Sequence, residues 1–395
     1  MRSTWLGLLF ITLGCSSSPA TSDGTSGGAG GSGGKSAGAG GQIGAIGGGG
    51  ALNTAGTTSN AIAGMSGGGA GGTGGTGGAS GGTGGGGGAG TAGAGGATSS
   101  GNGKQVWIWV WMNYKADLAK VIANTKSFTH VSPAMYQLQD AYQSGSIPFN
   151  GGDNFDGLSS MQISQELHAA GLKCVPLMYA GAGNLGGNDA GIQSVLNDST
   201  AQQNFITAAV AEGKAKGYDG WNLDWEVDGG ITYPNYGSKF KSFLTAFKQA
   251  LNQNGMTLSI DLGDWFVKQC GDNNALVDLS QLGASVDLAI MEDYNTSLGN
   301  PGSACPASPP QNTNCDSNYV AQLNAMCNVS PKSAVAMGVI APDSSSFASD
   351  ALKAVSAYGF PAVALWPGNM GFLAQDNFPA GETWMSVFSD FLASK

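Results

Sequence analysis

The sequence is poor in charge and poorest in clustered positive charge. Only 11% of its 395 residues are Asp, Glu, Lys or Arg, and 16 basic against 26 acidic residues leave a formal net charge of −10. Nowhere do Lys and Arg gather, so nothing is present to neutralise a run of phosphates, and no nucleic-acid partner is expected. Histidine occurs twice, as the lone residues His130 and His168, both read as structural. None of the six cysteines shows the tight paired spacing of a zinc site, so no metal is expected, nor any cofactor. Long hydrophobic runs are missing too: Trp5 to Leu13 is too short to cross a bilayer as a helix, which takes about 20 residues.

What stands at the N-terminus instead is an export signal. Arg2, the apolar run, and Gly14 directly before Cys15 make residues 1–14 a secretory signal peptide. Cys15, followed by Ser16, Ser17 and Ser18, resembles a bacterial lipoprotein cleavage site, which implies that Cys15 is the lipidated first mature residue. Thr12 departs from the Leu usual at that place, and the alternative is an ordinary cleaved signal with an incidental Cys. Ser16 is not the Asp that holds lipoproteins on the inner membrane, so the expected location is the outer membrane or cell surface, with secretion as the alternative. The membrane is then a partner only through the lipid.

Residues 15–102 are a second material. Glycine accounts for 68 residues of the chain and is concentrated here, mixed with Ala, Ser and Thr; from about residue 20 on, Asp23 and Lys35 are the only charges, with a few aliphatics such as Ile43 and Ile46. Such a segment cannot bury a core and is expected to be a disordered tether, about 80 residues spanning roughly 50 Å as a flexible coil. Beyond Cys15 five cysteines remain, an odd number for an oxidising compartment. Cys174 lies in an apolar run and is expected to be a buried free thiol. Cys270, Cys305, Cys315 and Cys327 are left for two disulfides, with Cys305 to Cys315 the easiest loop to close.

Residues 103–395 suit one large domain better than two ordinary ones. Eight short apolar, β-rich runs recur: Val106 to Met112, Phe128 to Met135, Leu172 to Tyr179, Tyr218 to Glu226, Met256 to Leu262, Val286 to Tyr294, Ala334 to Ala341 and Pro361 to Trp366. Stretches with helical spacing separate most of them, at Lys115 to Lys126, Ser160 to Ala170, Ala201 to Lys216, Ser238 to Asn254, Tyr319 to Cys327 and Phe347 to Tyr358, with a last one after Gly381. Eight alternations predict an α/β fold closed as a (β/α)8 TIM barrel. An open doubly wound sheet would call for a Gly-rich phosphate turn after the first strand, where Asn113, Tyr114 and Lys115 stand instead.

Catalytic residues of such barrels lie at the C-terminal ends of strands. The fourth strand ends Asp219, Gly220, Trp221, Asn222, Leu223, Asp224, Trp225, Glu226. Alternation puts Asn222, Asp224 and Glu226 on one face and the bulky Trp221, Leu223 and Trp225 on the other, which packs under the helices. Two carboxylates about 6.6 Å apart along one strand are costly to bury without a use, and each raises the pKa of the other, the condition a general acid needs. An exposed acidic strand end or a cation site is the bland alternative.

This run resembles the fourth-strand signature of family 18 glycoside hydrolases, the chitinases and endo-β-N-acetylglucosaminidases. Three of its four acidic positions match, and Asn222 takes the second, which leaves open how Asp224 shares a proton with an inner acid. The resemblance covers the folded part at the level of strand order, with close motif matches in strands four, six and eight. It implies Glu226 as the acid that protonates the leaving oxygen, Asp224 as the residue that orients the substrate acetamido group, and the substrate's own N-acetyl oxygen as the nucleophile. In strand six it implies a catalytic Tyr294, whose hydroxyl bonds the acetamido oxygen, followed by Asn295; parity there turns Glu292 inward rather than Met291 unless a bulge intervenes. In strand eight it implies Trp366 as the apolar floor beneath the sugar.

Trp107, Trp109 and Trp111 share a parity and read as core, with Trp111 reaching the cleft; Tyr136 and Tyr179, at strand ends, are further substrate-binding candidates, and Asp261 and Asp264 weaker ones. The expected function is a retaining, substrate-assisted glycosidase cutting β-1,4 linkages next to N-acetylglucosamine, in chitin oligomers or the N-glycan core, and acting as a monomer. The alternatives are a catalytically silent barrel that binds such glycans and a peptidoglycan hydrolase.

Overall fold

β1 (Gln105–Val110) alternates Trp107 and Trp109 with Val106, Ile108 and Val110, and all five are buried. A strand apolar on both faces belongs in a sheet covered on both sides, and in the computed structural model of this chain that sheet is a closed barrel. Residues 103–111, 113–139, 142–182, 186–187, 189–226, 233–263, 277–292, 304–307, 323–324, 326–331, 334–340, 345–367 and 383–394 are described by the structure. The signal, Cys15 and the tether lie outside them, as do Asp264, Cys270, Tyr294, Asn295 and Cys315.

After β1 come β2 (His130–Gln137), then β3 (Lys173–Cys174) with β4 (Leu177–Tyr179), and an antiparallel hairpin of β5 (Gly181–Ala182) and β6 (Gly186–Gly187). The barrel continues with β7 (Gly220–Asp224), β8 (Thr257–Leu262), β9 (Leu288–Met291), β10 (Val335–Ile340) and β11 (Ala362–Trp366). Neighbours pair in parallel, and β1 pairs with both β11 and β2, which closes the ring. β3 and β4 form one stave interrupted at Pro176, which has no N–H for the ladder; Val175 N still donates to Val131 O and Asn222 N to Pro176 O. The eight expected strands are therefore the eight staves.

Helices α1 (Tyr114–Ala123), α2 (Ser160–Ala169), α3 (Asp189–Asn197), α4 (Ser199–Lys216), α5 (Tyr233–Asn252), the short α6 (Leu279–Leu282), α7 (Ser345–Tyr358) and α8 (Trp384–Ala393) lie between and after the strands. Their ends are written locally. Ser159 and Gln162 form a capping box at α2, Asp198 accepts from Thr200 N and Ala201 N at α4, and Gly217, at φ 73°, ends α4 in the left-handed conformation that turns the chain into β7. Of the expected Tyr319 to Cys327 helix, only 323–324 and 326–327 are described.

Two cores result. The outer one lies between staves and helices; the inner one fills the barrel with Trp107, Trp109, Ala134, Val175, Leu177, Leu288, Ile290, Ala336, Ala362 and Ala364. Trp107 fits because its register partner on β11 is Ala364, so small residues make room for the indoles. His130 stacks on Trp107 at 4.3 Å and bonds Thr129, and burial pushes its imidazole down to about 3, so it is a neutral core residue. Cys174 is a buried free thiol, held above its ordinary range by burial. One pairing differs from expectation: Cys305 is bonded to Cys327, 22 residues on, and not to Cys315. Loop length favours the nearer cysteine only weakly, whereas Leu323 and Met326, anchored in the outer core, carry Cys327 to Cys305.

Candidate active site

The face that β7 turns inward is fixed by the face it turns outward. Trp225 stacks on Phe243 with centroids 5.2 Å apart, Trp221 donates its indole N–H to Ala209 O of α4 at 3.1 Å, and Leu223 is fully buried with them. At the foot of the strand a Cβ on Gly220 would stand 2.5 Å from Thr257 O, so only glycine allows β7 and β8 this approach. The expected parity follows: Asn222 and Asp224 point into the barrel.

Asn222 is 0% exposed and every polar atom of its amide is engaged. Its Oδ1 accepts from Trp109 Nε1 at 3.1 Å and from Ser132 Oγ at 2.9 Å, and its Nδ2 donates to Asp261 Oδ1 at 2.9 Å. Trp109 Nε1 also reaches Asp261 Oδ2 at 3.2 Å. One turn of the pleat higher, Asp224 lies beside Tyr179 in the register, and its Oδ1 is buried with no hydrogen-bond partner among the described residues. Carboxylate oxygens of Asp224, Asp261 and Glu292 all lie within 4.8 Å of one another. Glu292 follows β9 directly, anchored by its N–H on Leu262 O, while Ile290 fills the inner core and Met291 the outer one, so Glu292 is the inward residue that parity expects.

The charges crowd. Burial raises the Asp224 carboxyl well above the carboxylate range, and the neighbouring Glu292 and Glu226 push it further. Burial likewise raises Asp261, with Asp224 adding to it, against the smaller pull of the bonds from Asn222 and Trp109. Among the described residues these three acids are the one group close enough to share a cation. They are hard oxygen donors, but both Asp261 oxygens already accept N–H bonds, short of the about six oxygens that calcium gathers.

Above this network stands an aromatic collar. Trp111 meets Tyr179 at 5.2 Å and Trp366 at 5.9 Å, Trp366 meets Trp109 at 6.1 Å, and the three outer rings are half-buried on the inner core. Glu226, two residues past β7, is half-buried and its charge is felt at both Asp224 and Asp261. Tyr179, the register partner of Asp224, has its hydroxyl raised by burial and by the charge of that acid.

The structure thus gathers Asn222, Asp224, Glu226, Glu292, Trp111, Tyr179 and Trp366. It does not bring Tyr136 with them. The register of β2 against β4 shifts between Ala134 and Tyr136, so Ala134 faces inward and Tyr136 outward, where it is 0% exposed, packs on Trp221 at 4.7 Å and bonds Tyr218 at 2.7 Å. Ser132, Trp109 and Asp261 belong to the site although the sequence marked them weakly or not at all. Alternation was the available signal: Ser259 and Asp261 are the polar positions between the outward Leu258, Ile260 and Leu262, and Ser132 follows the outward Val131.

No protein-family model matches the sequence, and no curated protein sequence does. Solved structures do. A chitinase from Chromobacterium violaceum superposes with a TM-score of 0.54 at 15% identity, covering 74% of this chain and 100% of that one. A class V chitinase from Nicotiana tobaccum gives 0.56 at 12% identity over 74% and 99%. The Bacillus cereus spore cortex-lytic enzyme SleL gives 0.52 at 12% over 73% and 74%. Identities of this size speak for the fold alone, and the folded part of the chain has the (β/α)8 barrel of these chitinases.

Proposed function

We propose that residues 103–395 are a glycosidase that hydrolyses β-1,4 linkages next to N-acetylglucosamine with retention, using the substrate's acetamido group as nucleophile. The observation that carries this reading is Asp224 Oδ1, a buried acceptor with no partner, directly beneath the aromatic collar and beside Glu226. A sugar lying on Trp366 and Trp111 buries its C–H face against indole and turns its polar edge to the acids. Its acetamido N–H supplies the bond that Oδ1 lacks, and the acetamido oxygen is thereby turned to the anomeric carbon.

Glu226 gives its proton to the glycosidic oxygen as the C–O bond breaks, and the acetamido oxygen closes on the anomeric carbon to form an oxazolinium ion. Glu226, now a carboxylate, takes a proton from water, whose oxygen bonds the anomeric carbon on the face the leaving group vacated as the bond to the acetamido oxygen breaks. In this reading Glu292, whose carboxylate lies near those of Asp224 and Asp261, bonds a sugar hydroxyl. The Nicotiana chitinase has been solved with NAG4, which supports an N-acetylglucosamine oligomer as ligand of this barrel.

The test is chromophore release from aryl glycosides of N-acetylglucosamine, chitobiose and chitotriose. Glu226→Gln is expected to lose at least about a hundredfold in kcat. Glycan binding that survives without any release in the parent protein would replace the enzyme with a silent binding barrel. Cleavage of peptidoglycan fragments in preference to chitin oligomers would move the substrate toward that of a cortex-lytic enzyme, the class to which SleL belongs. We further propose that Cys15 anchors the domain to an outer surface through the 15–102 tether; incorporation of a fatty-acid probe is expected to vanish in Cys15→Ala, and unchanged labelling overturns the anchor.

A further inference from the structure

Asp224, Asp261 and Glu292 bring three carboxyls together, and no described Lys, Arg or His forms an ion pair with Asp224 or Asp261. Burial and the charges of Glu292 and Glu226 raise the Asp224 carboxyl, and burial with the charge of Asp224 raises Asp261, a strain that a cation among them would relieve. The spacing suits one kind of cation. A point equidistant from three oxygens set 4.8 Å apart, the widest that this group allows, is about 2.8 Å from each, the length of a charge-assisted N–H···O bond. An ammonium group carries three N–H donors, one for each acid, where calcium calls for about six oxygens. Asp224 Oδ1 is enclosed and accepts nothing from the described residues. The Asp261 oxygens accept from Asn222 and Trp109, and a carboxylate oxygen has room for a second bond. The collar identifies the carrier of the ammonium. Trp111, Tyr179 and Trp366 offer rings on which a sugar lies, and the faces of such rings also attract cations.

We propose that the site takes a second class of ligand, glucosamine oligomers in which the acetyl group is absent, and holds the sugar ammonium among Asp224, Glu292 and Asp261 without cleaving the chain. The inference deepens the reading above and rests on its placement of the sugar nitrogen at Asp224. Removal of the acetyl group leaves that nitrogen where it was, but replaces one amide N–H by three N–H donors and a positive charge. It also removes the acetamido oxygen, and with it the nucleophile, so the bound sugar has no route to the oxazolinium ion. A glycan that an N-deacetylation reaction has already stripped therefore occupies the collar as a dead-end ligand and competes with the acetylated chain. Glu292 sets this selectivity, since it supplies an acceptor and a charge at a place where an amide sugar needs neither.

Calorimetric binding of glucosamine trimer and of chitotriose to the full chain tests it, at about pH 6, where an amine is charged. Both titrations use Glu226→Gln, so that neither ligand is turned over, with and without Glu292→Gln. The readout is the ratio of the two affinities, because a merely structural Glu292 weakens both ligands alike. Glu292→Gln is expected to lower the affinity for glucosamine trimer by about tenfold or more relative to chitotriose, the worth of one bond to a charged group. Asp224→Asn in place of Glu292→Gln is expected to move the ratio in the same direction, and carries the test should the first variant fail to fold. In the parent protein glucosamine trimer is expected to survive intact and to inhibit chromophore release from the aryl glycosides competitively. An unchanged ratio, or hydrolysis of glucosamine trimer by the parent, overturns the proposal. A parent that cleaves no aryl glycoside while the ratio shifts overturns the glycosidase reading and keeps the amine pocket; cleavage without any shift overturns the pocket alone.

Discussion

The two ends of β7 treat the same residue type in opposite ways. At its foot Asp219 is given everything a carboxylate accepts: the Cys174 N–H at 2.8 Å and His168 Nε2 at 2.7 Å on one oxygen. Burial alone would raise it, but the bonds from His168 and Cys174 and the charges of His168 and Lys173 outweigh that and hold the group below its ordinary value. At its head Asp224 is half-buried, with its Oδ1 enclosed and unpaired among other acids, and its carboxyl is raised well above that value. Five residues separate a carboxylate that belongs to the scaffold from one whose buried oxygen has no partner. In a (β/α)8 barrel the bottom face stabilises and the top face reacts, and here the division is visible within a single strand.

The sharpest way to break this contrast is at the head. Asp224→Asn is expected to lower kcat by about a hundredfold without lowering the melting temperature at neutral pH, because Oδ1 makes no bond to lose and burial with Glu292 and Glu226 nearby already disfavours the charge; a large loss of stability would make Asp224 a scaffold residue after all. At the foot the reverse is expected. Asp219→Asn leaves the Cys174 N–H and His168 with a poorer acceptor and should cost about 1–3 kcal/mol in denaturant unfolding, with kcat per folded molecule unchanged.

His168→Gln gives the smallest and most specific effect. Asp219 lies below its unfolded value, so its share of stability is present above about pH 4 and lost as pH falls through the folded value; His168 is raised, chiefly by the bond to Asp219, so its share is present below about pH 6.5 and lost as pH rises through the folded value. The pair therefore contributes most between those limits. His168 is 43% exposed, so the loss there should stay under about 1 kcal/mol, read as a flattened stability curve.

Much of this was legible in the sequence because the alternation of a strand is a hard constraint. Eight apolar runs became eight staves, and the parity of residues 221–226 placed the indoles outside and Asn222 and Asp224 inside. Parity also turned Glu292 inward. Position at a strand end was a poorer guide: it served for Tyr179 but not for Tyr136, which a shift of register turns outward, and nothing local announces such a shift. It left Asp261 among the weaker candidates because a lone acid at a strand end gains its meaning from partners on other strands: Asn222 from β7 and Trp109 from β1. The cysteine pairing was missed for a related reason, since the packing of Leu323 and Met326, not chain distance, decides which sulfurs meet.

The position of Trp109 has an optical consequence. Its indole N–H touches both Asn222 and Asp261, and its ring abuts Trp366 of the collar. The excited state of an indole is quenched differently by a carboxylic acid and by a carboxylate, so the emission of this one ring records the charge state of Asp261. Subtracting the spectrum of Trp109→Phe from that of the parent protein isolates the signal from the other eight tryptophans. The barrel thereby contains its own dye, against which ligand occupancy at the collar can be timed in a flow experiment.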